Sequence, residues 1–329
     1  MFMMVSGAVS ALGVRHDPDG RLSRTMLARR LRMGCLVIAI GYLLVFPANR
    51  IADLRWVSPD SWRAFLAVNI LQANGVTLLL LTGVLALAGN VRRYAAFSLV
   101  LGLAILGAAP LAAQVDWFRW LPESLAAYLS YEHGSLFPLV PTSAYMCLGV
   151  GLGALLLETP VERRARVFRM ACLAAGAGFL LVSLVAARLP WSLLPADEAW
   201  RGGYAYTTCR LGYTLVVFGL LAWVAERRPA LAAAAAPLGR RSLFIYVAHL
   251  ALVFGTPWTQ GLVDTPLHDL SVAQVVPVVA LVVAVCFGAL VLWDRLKASS
   301  GRIGTLITIT AVLALVRVLV WGYRPPWLV

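Results

Sequence analysis

The chain has 329 residues with a mean hydropathy of +0.82; 61% are hydrophobic and 13% charged, against about 25% charged in an average soluble domain. One soluble core could not cover that much apolar surface, and few charges beside many aromatics exclude a disordered chain. The net charge of +13 does not point to nucleic acid, because the basic residues stand in short clusters between apolar runs of about 20 residues, the pattern of positive-inside topology.

Crossing a hydrocarbon core takes roughly 20 helical residues. A stub over Met1–Val14 opens the chain, and nine full spans follow: Leu31–Pro47, Ala64–Ala88, Arg93–Gln114, Leu136–Leu157, Met170–Leu189, Tyr204–Ala225, Ser242–Trp258, Val272–Trp293 and Ile303–Trp321. Stub and spans take 200 residues, and the longest connection, Val115–Ser135, has 21, so no soluble domain fits. The expected fold is all-α: a polytopic transmembrane helical bundle of nine full spans plus an N-terminal half-helix, one domain over 1–329. Fourteen helical residues rise about 21 Å, too short to span. The stub is therefore either a half-helix the bundle tolerates or the remainder of a chain that starts upstream. An added helix would put the N-terminus in the cytoplasm.

The loops beginning at Arg15, Asn90, Glu158, Glu226 and Asp294 fall on one side by alternation and carry 19 of the 28 basic residues. That side is expected to be cytoplasmic and the C-terminus extracytoplasmic, in a bacterial inner membrane. All five cysteines (Cys35, Cys147, Cys172, Cys209, Cys286) lie inside apolar runs without a CxxC, which reads as core packing rather than disulfides or metal ligation. No Walker loop, GxSxG, HExxH or dinucleotide-binding glycine motif is present. The GVGLG run at Gly149–Gly153 lies within a span and reads as a small-residue packing face. The sequence has no convincing inverted repeat of the transporter kind.

Polar side chains inside a span need a partner or a purpose. In SLFIYVAHLALVFGTPW, Ser242, Tyr246 and His249 share one helical stripe, with His249 about 10 Å into the helix. A neutral imidazole there can exchange a proton near physiological pH; the alternative is a histidine bonded to a neighbouring helix. Arg210 stands two turns inside its span with Tyr206 at i−4 and Tyr213 at i+3. It is either a snorkelling arginine or a fixed charge facing a polar cavity beside cation–π tyrosines. Asn69 and Gln72 share a face, with Asn74 pointing elsewhere; interhelical amide contacts are the plain reading. Glu132 and His133 stand before the fourth span, where an adjacent carboxylate and imidazole suit acid–base work or are simply solvated. His268 with Asp269 is a weaker pair of the same kind, and His16 is a loop residue.

Several segments in order, MFMMVSGAVSAL with its Arg-rich loop, ARRLRMGCLVIAIGYLLVFP, NILQANGVTLLLLTG, HGSLFPLVPTSAYMCLGVGLG and LGRRSLFIYVAHLALVFG, resemble the bacterial relatives of heparan-alpha-glucosaminide N-acetyltransferase, among the multi-pass membrane acyltransferases. The resemblance covers residues 1 to about 295. It implies transfer of an acetyl or other acyl group from cytoplasmic acyl-CoA, a co-substrate, to a sugar or glycan acceptor outside. Carried over by position, Arg240 and Arg241 of the LGRRS turn would face the CoA phosphates. His249 would line the transfer path, and Arg210 stands where relatives also carry an arginine. In the family a first helix and outer loop precede the MFMMVSG-like segment and carry the histidine proposed as catalytic; this chain begins after them.

The expectation is a membrane acyltransferase, an N- or O-acetyltransferase, with His249 and His133 as catalytic candidates. Arg210, Tyr206, Tyr246, Asn69, Gln72 and Glu132 are expected to bind substrate, and Arg240 and Arg241 acyl-CoA. Membrane lipid and a glycan are the expected partners, without nucleic acid or metal; a homodimer is compatible with the sequence. The alternatives are a non-catalytic transport or assembly protein for surface polysaccharide and a degenerate, inactive relative.

Overall fold

The structure, a computed structural model, describes residues 1–17, 19, 21–188, 203–264, 270–299 and 301–322. Regular structure among them is helical, with no strand. In chain order the helices are α1 (Phe2–Leu12), α2 (Arg24–Leu44), α3 (Pro59–Leu66), α4 (Ile70–Ala88), α5 (Val91–Ala112), the single-turn helices α6 (Trp117–Trp120) and α7 (Glu123–Ala126), α8 (Leu139–Glu158), α9 (Arg164–Arg188), α10 (Tyr204–Arg227), α11 (Pro229–Arg240), α12 (Ser242–Val253), α13 (Val272–Ser299) and α14 (Gly301–Trp321). Among the described residues seven helices, α4, α5, α8, α9, α10, α13 and α14, are long and apolar enough to cross a membrane. Their outward surfaces are apolar too, as at exposed Leu103, Leu184, Leu220, Val276 and Leu313, which marks a membrane protein.

Three expected spans take a different form. The span expected over Leu31–Pro47 is the helix α2, which starts earlier, at Arg24, and ends at Leu44. Arg29, Arg30 and Arg32 keep the helix out of the long apolar class. The stretch Ala64–Ala88 breaks at Ala67–Asn69 between α3 and α4. There Val68 N donates to Ser135 Oγ at 3.0 Å, and Val68 O accepts from Leu136 N and Phe137 N at 3.1 Å each. These bonds satisfy the backbone groups that the break frees from the helix ladder. Ser242–Trp258 is helical only to Val253. Gly255 takes φ +76, a left-handed conformation that glycine adopts without steric cost. Thr256 and Thr259 then pair their backbones at 2.9 and 3.0 Å across Pro257, so the chain folds back after 12 helical residues.

The chain divides into two compact units, Met1–Tyr42 with Leu66–Pro229 and Leu43–Phe65 with Ala230–Val329. In the first, α8 is flanked by α1 and α5, and α9 pairs with α10. The stub is helical as α1, with Met3, Met4 and Ala11 buried. A Cβ at Gly7 would overlap the Met146 carbonyl; one at Gly149 or Gly153 would overlap the carbonyl of Met4 or Ala8. The helices thus meet backbone to backbone, and the GVGLG run is the packing face expected of it. Gly176 and Gly212 serve the same close approach between α9 and α10. In the second unit α13 packs between α12 and α14. Phe46 stacks on Trp258 at 6.1 Å, and Trp258 Nε1 donates to Asn49 O at 2.8 Å.

Candidate functional site

The connection expected over Val115–Ser135 is an ordered loop of the first unit, built from α6, α7 and a tight turn at Glu132–Gly134. Asp116 caps α6 by accepting from Arg119 N at 3.1 Å, and Trp117 Nε1 donates to Ala112 O at 2.8 Å, pinning the loop to the end of α5. The turn is held by the bonds between Val68 and residues 135–137, so the NILQ and SLFP segments meet here. His133 has φ +53, uncommon for a residue with a side chain.

The ring so placed bonds Glu123, not its neighbour Glu132. Nδ1 lies 3.0 Å from Glu123 Oε1, and the Phe118 ring lies 3.9 Å from the imidazole, tilted against it. An ionised carboxylate only accepts, so Nδ1 carries the proton and neutral His133 keeps its lone pair on Nε2. The two side chains are 39% and 34% exposed. Glu132 is exposed and its backbone N donates to Ser130 Oγ at 3.1 Å. The partner Glu123 is ten residues away with no periodic spacing; the Pro122–Glu123 start of a short helix was the only sequence signal for it.

Arg210 lies on α10. Its Nη1 donates to Tyr206 Oη at 3.2 Å, and the guanidinium lies 5.3 Å from the centre of the Tyr206 ring. This is the i−4 neighbour expected from the sequence; Tyr213 points outward, 65% exposed. Tyr145 of α8 donates its hydroxyl to Thr207 O at 3.1 Å and lies in electrostatic range of Arg210, Tyr206 and Tyr131. Tyr131 stands two residues before His133. One end of the first unit therefore gathers an imidazole–carboxylate pair, a guanidinium and a set of tyrosines. In the same unit Tyr42 and Tyr128 share a 3.0 Å hydroxyl contact, and burial pushes the Tyr128 phenol up.

The amides separate. Asn74, which does not share the face of the other two, makes the interhelical bond, accepting from Ser6 Oγ at 3.0 Å. Gln72 is fully buried against Gly41, and neither end of its amide has a hydrogen-bond partner among the described residues. Asn69 is the N-terminal flanking residue of α4 and does not cap it with its side chain. One turn beyond Ser6, Ser10 Oγ meets Tyr94 Oη at 2.8 Å and accepts from Arg30 Nη1 at 2.9 Å. Arg30 Nη2 also donates to Ser10 O, satisfying a carbonyl in the last turn of α1.

His249 belongs to the second unit. Its Nδ1 donates to Ile245 O, one turn earlier on α12, at 3.1 Å, so its lone pair also rests on Nε2. The Tyr246 ring sits edge-on to it at 5.1 Å, as the shared stripe predicts. His249 borders a cavity of about 640 Å³ whose other walls include Ile245, Val253, Val279, Val282 and Phe287. At the LGRRS turn, Arg241 Nη2 pairs with Asp294 Oδ1 at 2.9 Å, while Arg240 is exposed. His268 and Asp269 lie outside the described residues. His16 contacts Gly89 O through Nε2 at 3.2 Å, holding its loop to the α4–α5 turn. Cys147, Cys172 and Cys286 are buried in helices, whereas Cys35 and Cys209 are exposed on theirs, and all five are free thiols. Among the described residues no three His, Cys, Asp or Glu side chains converge. Comparison of the chain with protein families, with curated proteins and with solved structures gives no match.

Proposed function

We propose that the chain is an integral membrane acyltransferase that moves an acetyl or other acyl group from cytoplasmic acyl-CoA to a sugar or glycan on the far side, and that it belongs with the heparan-alpha-glucosaminide N-acetyltransferase relatives its segments resemble. The observation that carries the reading is the Glu123–His133 pair. Acyl transfer needs a base to take the acceptor's proton, and a carboxylate on Nδ1 both fixes the tautomer and stabilises the imidazolium that forms. His249, bonded to a backbone carbonyl, lacks that stabilisation; we therefore put His133 first and His249 second.

In the step itself Nε2 of His133 takes the proton of an acceptor N–H or O–H. The acceptor nitrogen or oxygen bonds to the acyl carbonyl carbon, the thioester C–S bond breaks, and the imidazolium returns its proton to the departing CoA sulfur, which the pantetheine arm would have to carry from the cytoplasmic face to this outer loop. Arg240, without an acid partner among the described residues, suits a CoA phosphate better than Arg241, whose charge Asp294 already answers. Arg clustering supports the orientation: basic loops in the cytoplasm, the Val115–Ser135 loop and the C-terminus outside a bacterial inner membrane. The seven long helices and α2 make eight crossings of this topology, and the ninth needs the chain beyond Val253 as well as α12, whose 12 residues rise about 18 Å.

The test uses inverted membrane vesicles, which present the cytoplasmic face to the medium. Labelled acetyl-CoA is supplied and label is followed into lumenal glycan. Saturable transfer that depends on this chain supports the reading. Absence of both transfer and saturable acetyl-CoA binding overturns it in favour of a transport or assembly role without CoA chemistry.

A further inference from the structure

Every residue of α11 except the last, Arg240, is alanine, leucine, proline or glycine, yet the helix buries none of them. Leu231 is 59% exposed. An apolar helix without a core to pack on needs another cover. The chain on either side of it indicates which. α10, long and apolar enough to span, ends at Arg227, and α12 starts at Ser242, directly after the LGRRS turn. In the proposed orientation the chain leaves the membrane by the first and returns by the second. α11, about 18 Å long, is tied to that face at both ends and therefore lies along it. Both ends carry interfacial residues. Arg227 lies over the Trp223 ring at 4.6 Å, and Arg241 pairs at 2.9 Å with Asp294, the residue after Trp293; tryptophans gather at the headgroup level. The segment is also strongly cationic. Arg227 and Arg228 precede the helix and Arg240 and Arg241 close it, with no acidic residue between Glu226 and Asp264. Glu226 itself pairs with Arg169. Among the described residues Arg227, Arg228 and Arg240 have no carboxylate partner.

We infer, on the membrane orientation proposed above and independently of acyl transfer, that α11 is a docking surface for an anionic phospholipid leaflet. Its alanines and leucines settle at the boundary between headgroups and acyl chains, as an interfacial helix does. Arg227 and Arg228 lay their stems along that apolar surface and bring their guanidinium groups to the lipid phosphates. The apolar surface by itself accepts any bilayer; the arginines select a negatively charged one, because a basic residue near such a surface gains electrostatic energy that a zwitterionic surface does not supply. α11 runs directly into the LGRRS turn, so a leaflet that holds the helix also holds the turn in place.

The experiment places the full chain, with an environment-sensitive fluorescent amino acid at the exposed position Ala234, in nanodiscs of phosphatidylcholine alone or mixed with phosphatidylglycerol. A nitroxide on the upper acyl chain of the lipid quenches a probe seated in the membrane, and acrylamide quenches one in water. With phosphatidylglycerol present the nitroxide should quench the probe and acrylamide should not. Arg228→Gln should shift the balance toward acrylamide by about fivefold, and leaving out phosphatidylglycerol should shift it further. Acrylamide quenching in the mixed discs overturns the inference. So does protection from both quenchers, which marks cover by protein, a second copy of this chain included. Nitroxide quenching that is the same with and without phosphatidylglycerol overturns the selection of an anionic leaflet. The comparison of the two lipid compositions uses the same chain throughout, so the outcome does not depend on the folding of Arg228→Gln. No acetyl-CoA is present; failed transfer in the vesicle assay leaves a positive result here intact, and failure here leaves the acyltransferase reading intact.

Discussion

Replacing Glu123 by Gln separates a working imidazole–carboxylate pair from a decorative one. The two side chains are 39% and 34% exposed, so the pair lies in the regime where an ion pair contributes at most about 1 kcal/mol to folding. Glu123→Gln should therefore shift the melting temperature by no more than a few degrees. Its effect on the reaction is larger. The carboxylate can only accept, which holds the proton on Nδ1 and the lone pair on Nε2. A glutamine amide offers both an N–H and a C=O, so the ring can be held in the unproductive tautomer, and the negative charge facing the imidazolium is gone. A loss of about 10- to 100-fold in transfer rate is expected, equivalent to about 1.4–2.7 kcal/mol. His133→Ala should cost about 10²- to 10⁴-fold, the range for removing a general base, and His249→Ala less than about tenfold. Single-turnover transfer of labelled acetyl in inverted vesicles reads all three, with melting in detergent as the folding control. The reasoning is refuted if His133→Ala keeps its rate within twofold, or if His249→Ala is the more damaging variant, which would move the chemistry to α12.

Other consequences concern packing and pH. Gly149→Ala forces a Cβ onto the Met4 carbonyl between α1 and α8 and should destabilise the fold by about 1–3 kcal/mol, as overpacking does. Gly178→Ala on α9, where a Cβ meets nothing, should be neutral or stabilise by up to about 1 kcal/mol; equal effects in a detergent melt would contradict the backbone contact. Burial raises the pKa of Tyr128 above its usual 10.0, so its neutral form favours the folded state. That contribution is whole below about pH 10, where the unfolded tyrosine is also neutral, and is lost as pH rises beyond it. Melting temperature should accordingly fall above pH 10, and less steeply in Tyr128→Phe; an unchanged alkaline slope would be the contrary result.

Composition and periodicity determined a great deal of this protein. Runs such as Val91–Ala112 and Ala273–Leu296 have to be helices in a hydrocarbon solvent, because nothing there bonds to a free backbone group. The same constraint made the Tyr206–Arg210 and Tyr246–His249 neighbours legible, since helical spacing alone sets them. The GVGLG run likewise announced a close approach, although its partner, the short α1, was not identifiable without the fold.

Tertiary structure decided the rest. The break at Ala67–Asn69 is invisible in an apolar stretch because Ser135, 67 residues away, supplies the missing hydrogen bond. Asn74, rather than Asn69 or Gln72, became the interhelical contact because Ser6 happens to face it. Glu132 is adjacent to His133 in sequence, yet the left-handed turn aims the ring at Glu123 on another element. Spacing along one helix is local geometry and can be read from order alone. Which loop atoms meet depends on how distant segments are brought together, and that information resides in the packed chain.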